Sequence, residues 1–257
     1  MEKVNKLKKF FQNEGIDGYI IPKNDEFFGE YIPDYKDRLK YISDFSGSYG
    51  FALILNSQNY LFVDGRYTLQ ANKQSGKFFK IKTIPHELPE KILGNKKLKI
   101  GFDPKLFTTK TLNIFFGKTN CKYIPLNNNL VDEIWRRRKA KGENKFFKLP
   151  SSSVGESYKS KINKIFLKLK KNGADYQFIT ASENNAWLLN IRGNDSKYTP
   201  IPCCYILFDK KKNINFFCDL EKISASFKKS FNKIKFINIK NTNLVLSQIY
   251  KKNIMID

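Results

Sequence analysis

Carboxylate side chains are the first residues in this chain that could do catalytic chemistry. Asp25 and Glu30 lie in one polar, turn-rich stretch, and paired carboxylates can act as a general acid and a general base. No metal-ligand motif or basic partner accompanies them. The single histidine, His86, lies between Pro85 and Glu87 and has no second ligand at His-x-x-x-His spacing. The sequence therefore predicts no catalytic residue and no metal site.

Two further polar turns carry charged side chains. Asp64-Gly-Arg-Tyr67 follows a predicted strand. Its Asp64 and Arg66 either tie the strand end to the loop before Arg38, or present Arg66 to a neighbouring domain. Asn190-Ile-Arg-Gly-Asn-Asp195 follows a predicted helix. Its polar side chains either stabilise that turn or lie at a domain interface or at the mouth of an active site.

Helices alternate with strands around these turns. Val4, Leu7, Phe10 and Phe11 recur at helical spacing, and Gly15 is a candidate helix cap before a short strand that ends at Pro22. Two apolar runs separated by Asn56-Ser-Gln-Asn59 predict a β-hairpin. The remaining helices and strands alternate in the same way, which indicates an α/β fold with mixed sheets flanked by helices.

The second half of the chain repeats the first. Gly173 stands where Gly15 stood, Gly193 where Gly47 stood, and Asp219 where Asp64 stood. These offsets of about 150 residues are too long for a solenoid repeat, so we predict two tandem, similar domains. Their expected bounds are 1–126 and 154–257, joined by a helical and basic linker at 127–153.

The net charge of +23 is the strongest compositional feature and raises the possibility of a nucleic-acid partner. The lysines are spread over the predicted helix faces and turns, and the densest basic run, 136–141, falls in the predicted linker. Nucleic-acid binding through this basic surface is therefore kept as an alternative to the main interpretation.

Cellular location is suggested by what the sequence lacks. The four cysteines follow no disulfide or metal spacing, so we expect reduced thiols. The first residues form an amphipathic helix without the apolar core of a secretory signal, and no apolar run reaches the roughly 18 residues of a membrane span. We expect a cytoplasmic protein with no membrane partner.

Several long, ordered motifs together resemble the N-terminal region of Xaa-Pro aminopeptidases, in the creatinase/prolidase family. The motifs are Asp25-Glu-Phe-Phe-Gly-Glu-Tyr31, Arg38-Leu-Lys-Tyr-Ile-Ser-Asp-Phe-Ser-Gly-Ser-Tyr-Gly50, Phe62-Val-Asp-Gly-Arg-Tyr-Thr-Leu-Gln70 and Ala186-Trp-Leu-Leu-Asn-Ile-Arg-Gly-Asn-Asp195 with Pro200 and Pro202. The resemblance covers essentially the whole chain. It implies two creatinase N-terminal domains of the ribonuclease H-like type.

In that family a C-terminal "pita-bread" domain follows. It binds two divalent metals, manganese, cobalt or zinc, through two Asp, one His and two Glu, and it hydrolyses the bond between a first residue and a penultimate proline. A two-metal site that activates a bridging water suits such a reaction. The resemblance also implies that the N-terminal domains shape access of peptides to that site.

This sequence departs from the family because the catalytic domain is absent, and because Phe27 stands where relatives tend to carry His. We therefore expect a truncated or split product that is inactive alone, with no cofactor of its own and a catalytic domain as partner in cis or in trans. A stand-alone binding module is the other alternative. The candidate interdomain or substrate-access residues are Asp25, Glu30, Arg38, Asp64, Arg66, Asn190, Arg192 and Asp195.

Overall fold

The structure is a computed structural model that describes residues 1–136, 145–231 and 233–257. It divides the chain into two compact units, Met1–Ala140 and Lys141–Asp257. Most of the basic run at 136–141, and the Gly142-Glu-Asn144 stretch of the predicted linker, lie outside the described residues.

The first unit is a mixed six-stranded sheet with strand order β4-β3-β2-β1-β5-β6 and helices on both faces. Its elements in chain order are α1 (Glu2–Asn13), β1 (Gly18–Pro22), α2 (Arg38–Ser43), β2 (Gly50–Leu55), β3 (Asn59–Asp64), α3 (Thr68–Ser75), β4 (Lys80–Ile84), α4 (Pro89–Leu93), β5 (Lys99–Phe102), α5 (Thr109–Phe116), β6 (Lys122–Pro125) and α6 (Leu130–Ile134).

Both faces of this first sheet are apolar and covered. Successive strand residues point to opposite faces, so Tyr19 and Ile21 pack in one hydrophobic cluster while Ile20 packs in another. The first cluster includes buried residues of α1, α2, α3 and α6, and the second includes those of α4 and α5. Burial on both faces explains the continuous apolar run Phe51–Leu55 in the central strand β2.

The second unit contains a mixed five-stranded sheet of order β12-β11-β10-β8-β13 and a small antiparallel pair, β7 with β9. Its elements are β7 (Phe147–Lys148), α7 (Tyr158–Lys171), β8 (Tyr176–Ile179), α8 (Ser182–Leu189), β9 (Ile191–Arg192), β10 (Tyr205–Asp209), β11 (Ile214–Cys218), α9 (Ala225–Lys229), β12 (Ile234–Asn238), α10 (Thr242–Ser247) and β13 (Ile254–Ile256).

The duplication predicted from sequence extends to individual residues, which share backbone conformation or hydrogen bonding at equivalent positions of the two units. Gly15 and Gly173, just after α1 and α7, both have φ of +62°, and Asp44 and Asn190 at the ends of α2 and α8 are both left-handed. Asp64 and Asp219 both accept a backbone hydrogen bond from the residue two positions later. The α/β fold class with two similar tandem domains is thus confirmed.

The structure also bears on the segment predicted as a linker. Leu130 and Val131, which the sequence placed in the linker, are buried in a hydrophobic cluster of the first unit, and Trp135 stacks on Tyr41 at 4.5 Å between ring centroids. The first unit therefore extends through α6. No helix among the described residues is long and apolar enough to cross a membrane.

The left-handed turn after α7 gives a first test of the fold. Gly173→Ala should lower the free energy of unfolding of the second unit by about 1 kcal/mol, because a Cβ at this position meets open space and only the backbone conformation opposes it. Urea denaturation measures this change.

Gly155→Ala is the matched control, since its Cβ also meets open space and its φ lies outside the left-handed region. It should leave the free energy of unfolding unchanged or slightly raised. Equal destabilisation by both substitutions would contradict the assignment of the Gly173 effect to backbone strain.

Candidate functional site

The candidate residue Arg38 begins α2, and the start of this helix is fixed by its neighbour. Asp37 accepts a hydrogen bond from the Lys40 amide at 3.1 Å, which is the usual role of an aspartate at a helix N-cap. Its other carboxylate oxygen accepts from Lys23 Nζ at 2.5 Å. The cap holds the Arg38 side chain beneath the surface, where 3% of it is exposed.

Arg38 pairs with two carboxylates. Its Nε and Nη2 donate to the two oxygens of Asp132, at 2.7 and 2.8 Å, and Nη2 also donates to Glu26 Oε1 at 2.6 Å. Lys36 donates to the other Glu26 oxygen at 2.7 Å. We call Glu26, Lys36, Arg38 and Asp132 the Arg38 network. The two-pronged contact with Asp132 uses the fixed fork of the guanidinium.

The network keeps its carboxylates ionised. Burial alone would raise the pKa of Glu26, but its interactions with Lys36 and Arg38 outweigh burial and lower that pKa to about 2. A carboxylate with so low a pKa is a weak base, so Glu26 is poorly suited to accept a proton at neutral pH. The contacts indicate a structural role, in which Arg38 joins the segment before α2 to α6.

Asp25 and Glu30, the two carboxylates considered as a general acid and a general base, lie in different environments. Asp25 is buried and accepts from the Phe27 amide at 2.9 Å, whereas Glu30 is exposed. Burial raises the pKa of Asp25, because it disfavours the charged form of the carboxyl group. The two side chains therefore do not form a general acid and base pair. The acidic residues that do join a network, Glu26 and Asp132, were not singled out from the sequence.

Asp64 and Arg66 pair with each other. The Arg66 Nη2 atom donates to Asp64 Oδ2 at 2.6 Å, and the Arg66 amide donates to Asp64 Oδ1 at 2.9 Å. The expected tie from this strand end to the loop before Arg38 is therefore wrong, because the pair closes locally over a single turn. The Arg66 side chain stays 76% exposed.

In the second unit, Asn190 connects three segments from its left-handed position. Its Oδ1 accepts from Lys161 Nζ at 2.6 Å, its Nδ2 donates to the Glu156 carbonyl at 2.9 Å, and its carbonyl accepts from the Leu149 amide. Lys161 also donates to the Trp187 carbonyl and lies over the Trp187 ring at 4.1 Å. These contacts support the structural interpretation of the turn.

Asp195 and Arg192 take different places in the same turn. Asp195 is paired with Lys222 and accepts from the Cys203 amide at 2.6 Å. Arg192 lies in β9, half-buried, and donates to the neighbouring Ile191 carbonyl at 2.8 Å. Asp195 thus holds two loops together, and Arg192 remains at the surface of the small β7–β9 pair.

The groups that could bind metal are dispersed. Among residues 1–136, 145–231 and 233–257, no group of three or more His, Cys, Asp or Glu side chains could hold a metal ion. His86 is exposed in a loop, and the four cysteines are free thiols. Burial raises the pKa of the Cys218 thiol to about 12, so this sulfur is unreactive. The side chains that the structure describes do not fit a dinuclear metal centre.

Removal of Arg38 should destabilise the first unit strongly. In Arg38→Met, Glu26 and Asp132 lose their cation while still partly buried, and we expect a loss of about 3 kcal/mol in the free energy of unfolding at pH 7. The matched control is Arg66→Met, which removes an exposed, solvent-screened pair and should leave the free energy of unfolding nearly unchanged. Urea denaturation at pH 7 compares the two, and similar losses would contradict the structural role of Arg38.

The Arg38 network also predicts a pH dependence. The pKa of Glu26 is lowered in the folded state from 4.5 to about 2, so its contribution is fully present above pH 4.5 and is lost as the pH falls towards 2. The stability difference between the wild-type protein and Arg38→Met should therefore stay constant from pH 7 to 5 and narrow towards pH 3. A difference that widens on acidification would contradict this assignment.

Comparison with known proteins places both units in one family. The creatinase/prolidase N-terminal domain family matches residues 3–134, and a second model of the same description matches residues 137–257. A probable Xaa-Pro aminopeptidase P of Laccaria bicolor is 32% identical over 79% of this chain and 33% of its own length. Xaa-Pro aminopeptidase 1 of Dictyostelium discoideum is 29% identical over 88% of this chain and 39% of its own length.

A solved structure agrees. The crystal structure of X-prolyl aminopeptidase from Caenorhabditis elegans, described as a cytosolic enzyme with a di-nuclear active site, superimposes with a TM-score of 0.86 at 27% identity. The match covers 99% of this chain and 46% of that one. The chain spans between 33% and 41% of the length of its curated Xaa-Pro aminopeptidase relatives. It belongs to the creatinase/prolidase family, as two tandem N-terminal domains of the type found in Xaa-Pro aminopeptidases.

Proposed function

We propose that this chain works as the non-catalytic N-terminal region of a metal-dependent Xaa-Pro aminopeptidase. The observation that carries the proposal is the match of both units, over 99% of the chain, to 46% of the C. elegans X-prolyl aminopeptidase. The relatives carry a C-terminal catalytic domain in the same chain, so a catalytic domain in cis is the partner that fits best.

The ion pairs inside the two units support the assignment of catalysis to a separate domain. A two-metal hydrolase needs carboxylates that are free to bind the ions and a water to activate. Here the half-buried carboxylates Glu26 and Asp132, and the Asp195 carboxylate, whose side chain is buried, are engaged by cations of their own unit. The manganese, cobalt or zinc pair that the family implies would therefore be held by the catalytic domain, and peptide hydrolysis would depend on that domain.

The candidate access residues divide into two groups. Asp25, Arg38, Asn190 and Asp195 are buried and stabilise their own unit, whereas Glu30 and Arg66 are exposed. Asp64 orients Arg66 through their ion pair, and Arg192 lies half-buried in β9. We propose that Glu30, Arg66 and Arg192 are the residues available to contact a catalytic domain or an entering peptide.

We also propose a cytoplasmic location. The C. elegans neighbour is described as cytosolic, and four free thiols suit a reducing compartment. Cell fractionation with thiol labelling tests this, and recovery of the protein from the medium with oxidised cysteines would contradict it.

A chimera tests the main proposal. Residues 1–257 replace the matched N-terminal part of the C. elegans enzyme, and hydrolysis of a Xaa-Pro peptide is measured with Mn²⁺. The chimera should cleave the peptide, whereas this chain alone should not, because the metal-binding groups would come from the other part.

A second chimera tests the proposed contact residues. It carries Glu30→Gln and Arg66→Met, two substitutions at exposed positions that leave the Arg38 network intact. If these residues contact the peptide or the catalytic domain, the KM for peptides should change while the fold is retained. Turnover by residues 1–257 alone would refute the proposal. A folded but inactive chimera would favour a stand-alone binding module.

A further inference from the structure

A cavity of about 410 Å³ lies in the second unit, between α10 and one face of the sheet. Two neighbouring rows of side chains border it. Leu207, Asn215 and Lys235 form one row, because they are directly opposite one another across β10, β11 and β12. Tyr176 opposite Asp209 belongs to the next row. The volume is typical of small-molecule binding sites, which range from about 300 to 1,000 Å³.

The cavity coincides with two residue differences between the duplicated sheets. Leu53 is opposite Tyr60 in the first unit as Leu207 is opposite Asn215 in the second, so Asn215 holds the place of Tyr60. In the same way Asp209 holds the place of Leu55. Tyr60 and Leu55 pack in a hydrophobic cluster of the first unit. The smaller, polar residues of the second unit leave room there and line it with hydrogen-bonding groups.

The wall of the cavity at β12 is positively charged. Among the described residues that line the cavity, Lys233 and Lys235 are cationic and Asp209 is anionic. The Asp209 carboxylate is held by its own turn, where Oδ1 accepts from the Lys211 and Asn213 amides, both at 2.8 Å, and Oδ2 accepts from Asn213 Nδ2 at 2.8 Å. These bonds stabilise its negative charge in place. Lys233 and Lys235 are two residues apart and share a face, so both ammonium groups border the same space.

Other parts of the lining are apolar. Leu207 is 2% exposed, and Val245 of α10 and Ile249 just after that helix lie across from the sheet. Gln248, an exposed lining residue, carries an amide that can donate a hydrogen bond at the opening. A few polar groups at one side of an apolar space are the usual composition of a small-molecule site.

We propose that this cavity binds a small organic anion, a carboxylate or phosphate group attached to an apolar body of a few carbon atoms. The anionic group would lie between Lys233 and Lys235, and the apolar body would contact Leu207, Val245 and Ile249. All of these residues belong to the second unit. The proposal therefore does not depend on a catalytic domain, and residues 1–257 alone are sufficient to test it.

Titration of the isotope-labelled chain, followed by NMR, tests the proposal with two anions, N-acetyl-leucine and isopentyl phosphate. At least one of them should shift the amide signals of Asn215, Lys235 and Gln248 in a saturable way. The expected Kd is about 1 mM, which suits a ligand of about twelve non-hydrogen atoms. The tighter of the two anions identifies the charged group. If neither saturates these shifts by about 10 mM, the proposal is overturned.

Two control ligands separate the contributions of charge and apolar contact. N-acetyl-leucinamide has the body of the first anion without its charge, and acetate has the charge without the body. Each should bind at least about 10-fold more weakly than the better anion, because each lacks one of the two interactions. Equal binding of either control would overturn the proposal.

Substitution of the two lysines tests their role directly. Lys233→Gln combined with Lys235→Gln should raise the Kd at least about 10-fold while leaving the unfolding midpoint unchanged, because both side chains are exposed. The matched control is Lys228→Gln combined with Lys229→Gln, which removes the same charge from α9, on the opposite face of the sheet. The control should keep the Kd, and an equal rise in both variants would refute an anion site at β12.

Asn215→Tyr tests the space itself, since it restores the residue that the first unit has at this place. The added ring should fill the cavity and raise the Kd at least about 10-fold, although both lysines remain. A folded Asn215→Tyr variant that keeps the affinity would place the ligand elsewhere and overturn the proposal. If this variant does not fold, the lysine variants and the control ligands decide. None of these results changes the proposed function, because no measurement uses peptide hydrolysis.

Discussion

A β-sheet whose strands are apolar on both faces has to be covered on both faces, and this constraint shapes each unit of the protein. In the first unit α1, α2, α3 and α6 supply one cover, and α4 and α5 supply the other. The central strand β2 is therefore buried along its whole length. In the second unit α7, α8 and α9 cover one face, where Phe208 and Phe216 have no exposed surface.

The polar residues follow from the same constraint. Packing of the helices onto the sheets brings some charged groups of α2 and α7 below the surface, where each needs a partner. Arg38 meets this need between Glu26 and Asp132, and Lys161 meets it with Asn190 and the Trp187 carbonyl. The Arg38 network balances two cations with two carboxylates, whereas the Lys161 ammonium donates to two neutral oxygen acceptors. In both clusters these contacts hold segments of one unit together.

The sequence was most informative where the physical cause is local. Helical spacing in residues 3–13, the hairpin around Asn56 and the glycines after α1 and α7 are set by neighbours along the chain, and all are found as predicted. Repetition of these local patterns also gave the duplicated α/β fold. Contacts over long sequence separations could not be predicted in the same way, since Arg38 and Asp132 are 94 residues apart and only folding brings them together.

The acidic patch that begins at Asp25 did signal a charged site, but periodicity does not show that Glu26, rather than Glu30, turns inward. The pairing of Asp64 with Arg66 shows the opposite error, since a long tie was expected where a local one forms. Both errors have one physical cause, because the partner of a charged side chain depends on which loops the fold brings within reach.

One face of the second sheet differs from the equivalent face of the first sheet more strongly away from the edge than near it. Away from the edge, Asp209 and Asn215 occupy the places of Leu55 and Tyr60, and a cavity of about 410 Å³ lies between these strands and the residues around α10. This part of the face tolerates water because its side chains are polar. Near the edge the replacements stay apolar, with Phe178 for Ile20 and Ile256 for Phe102.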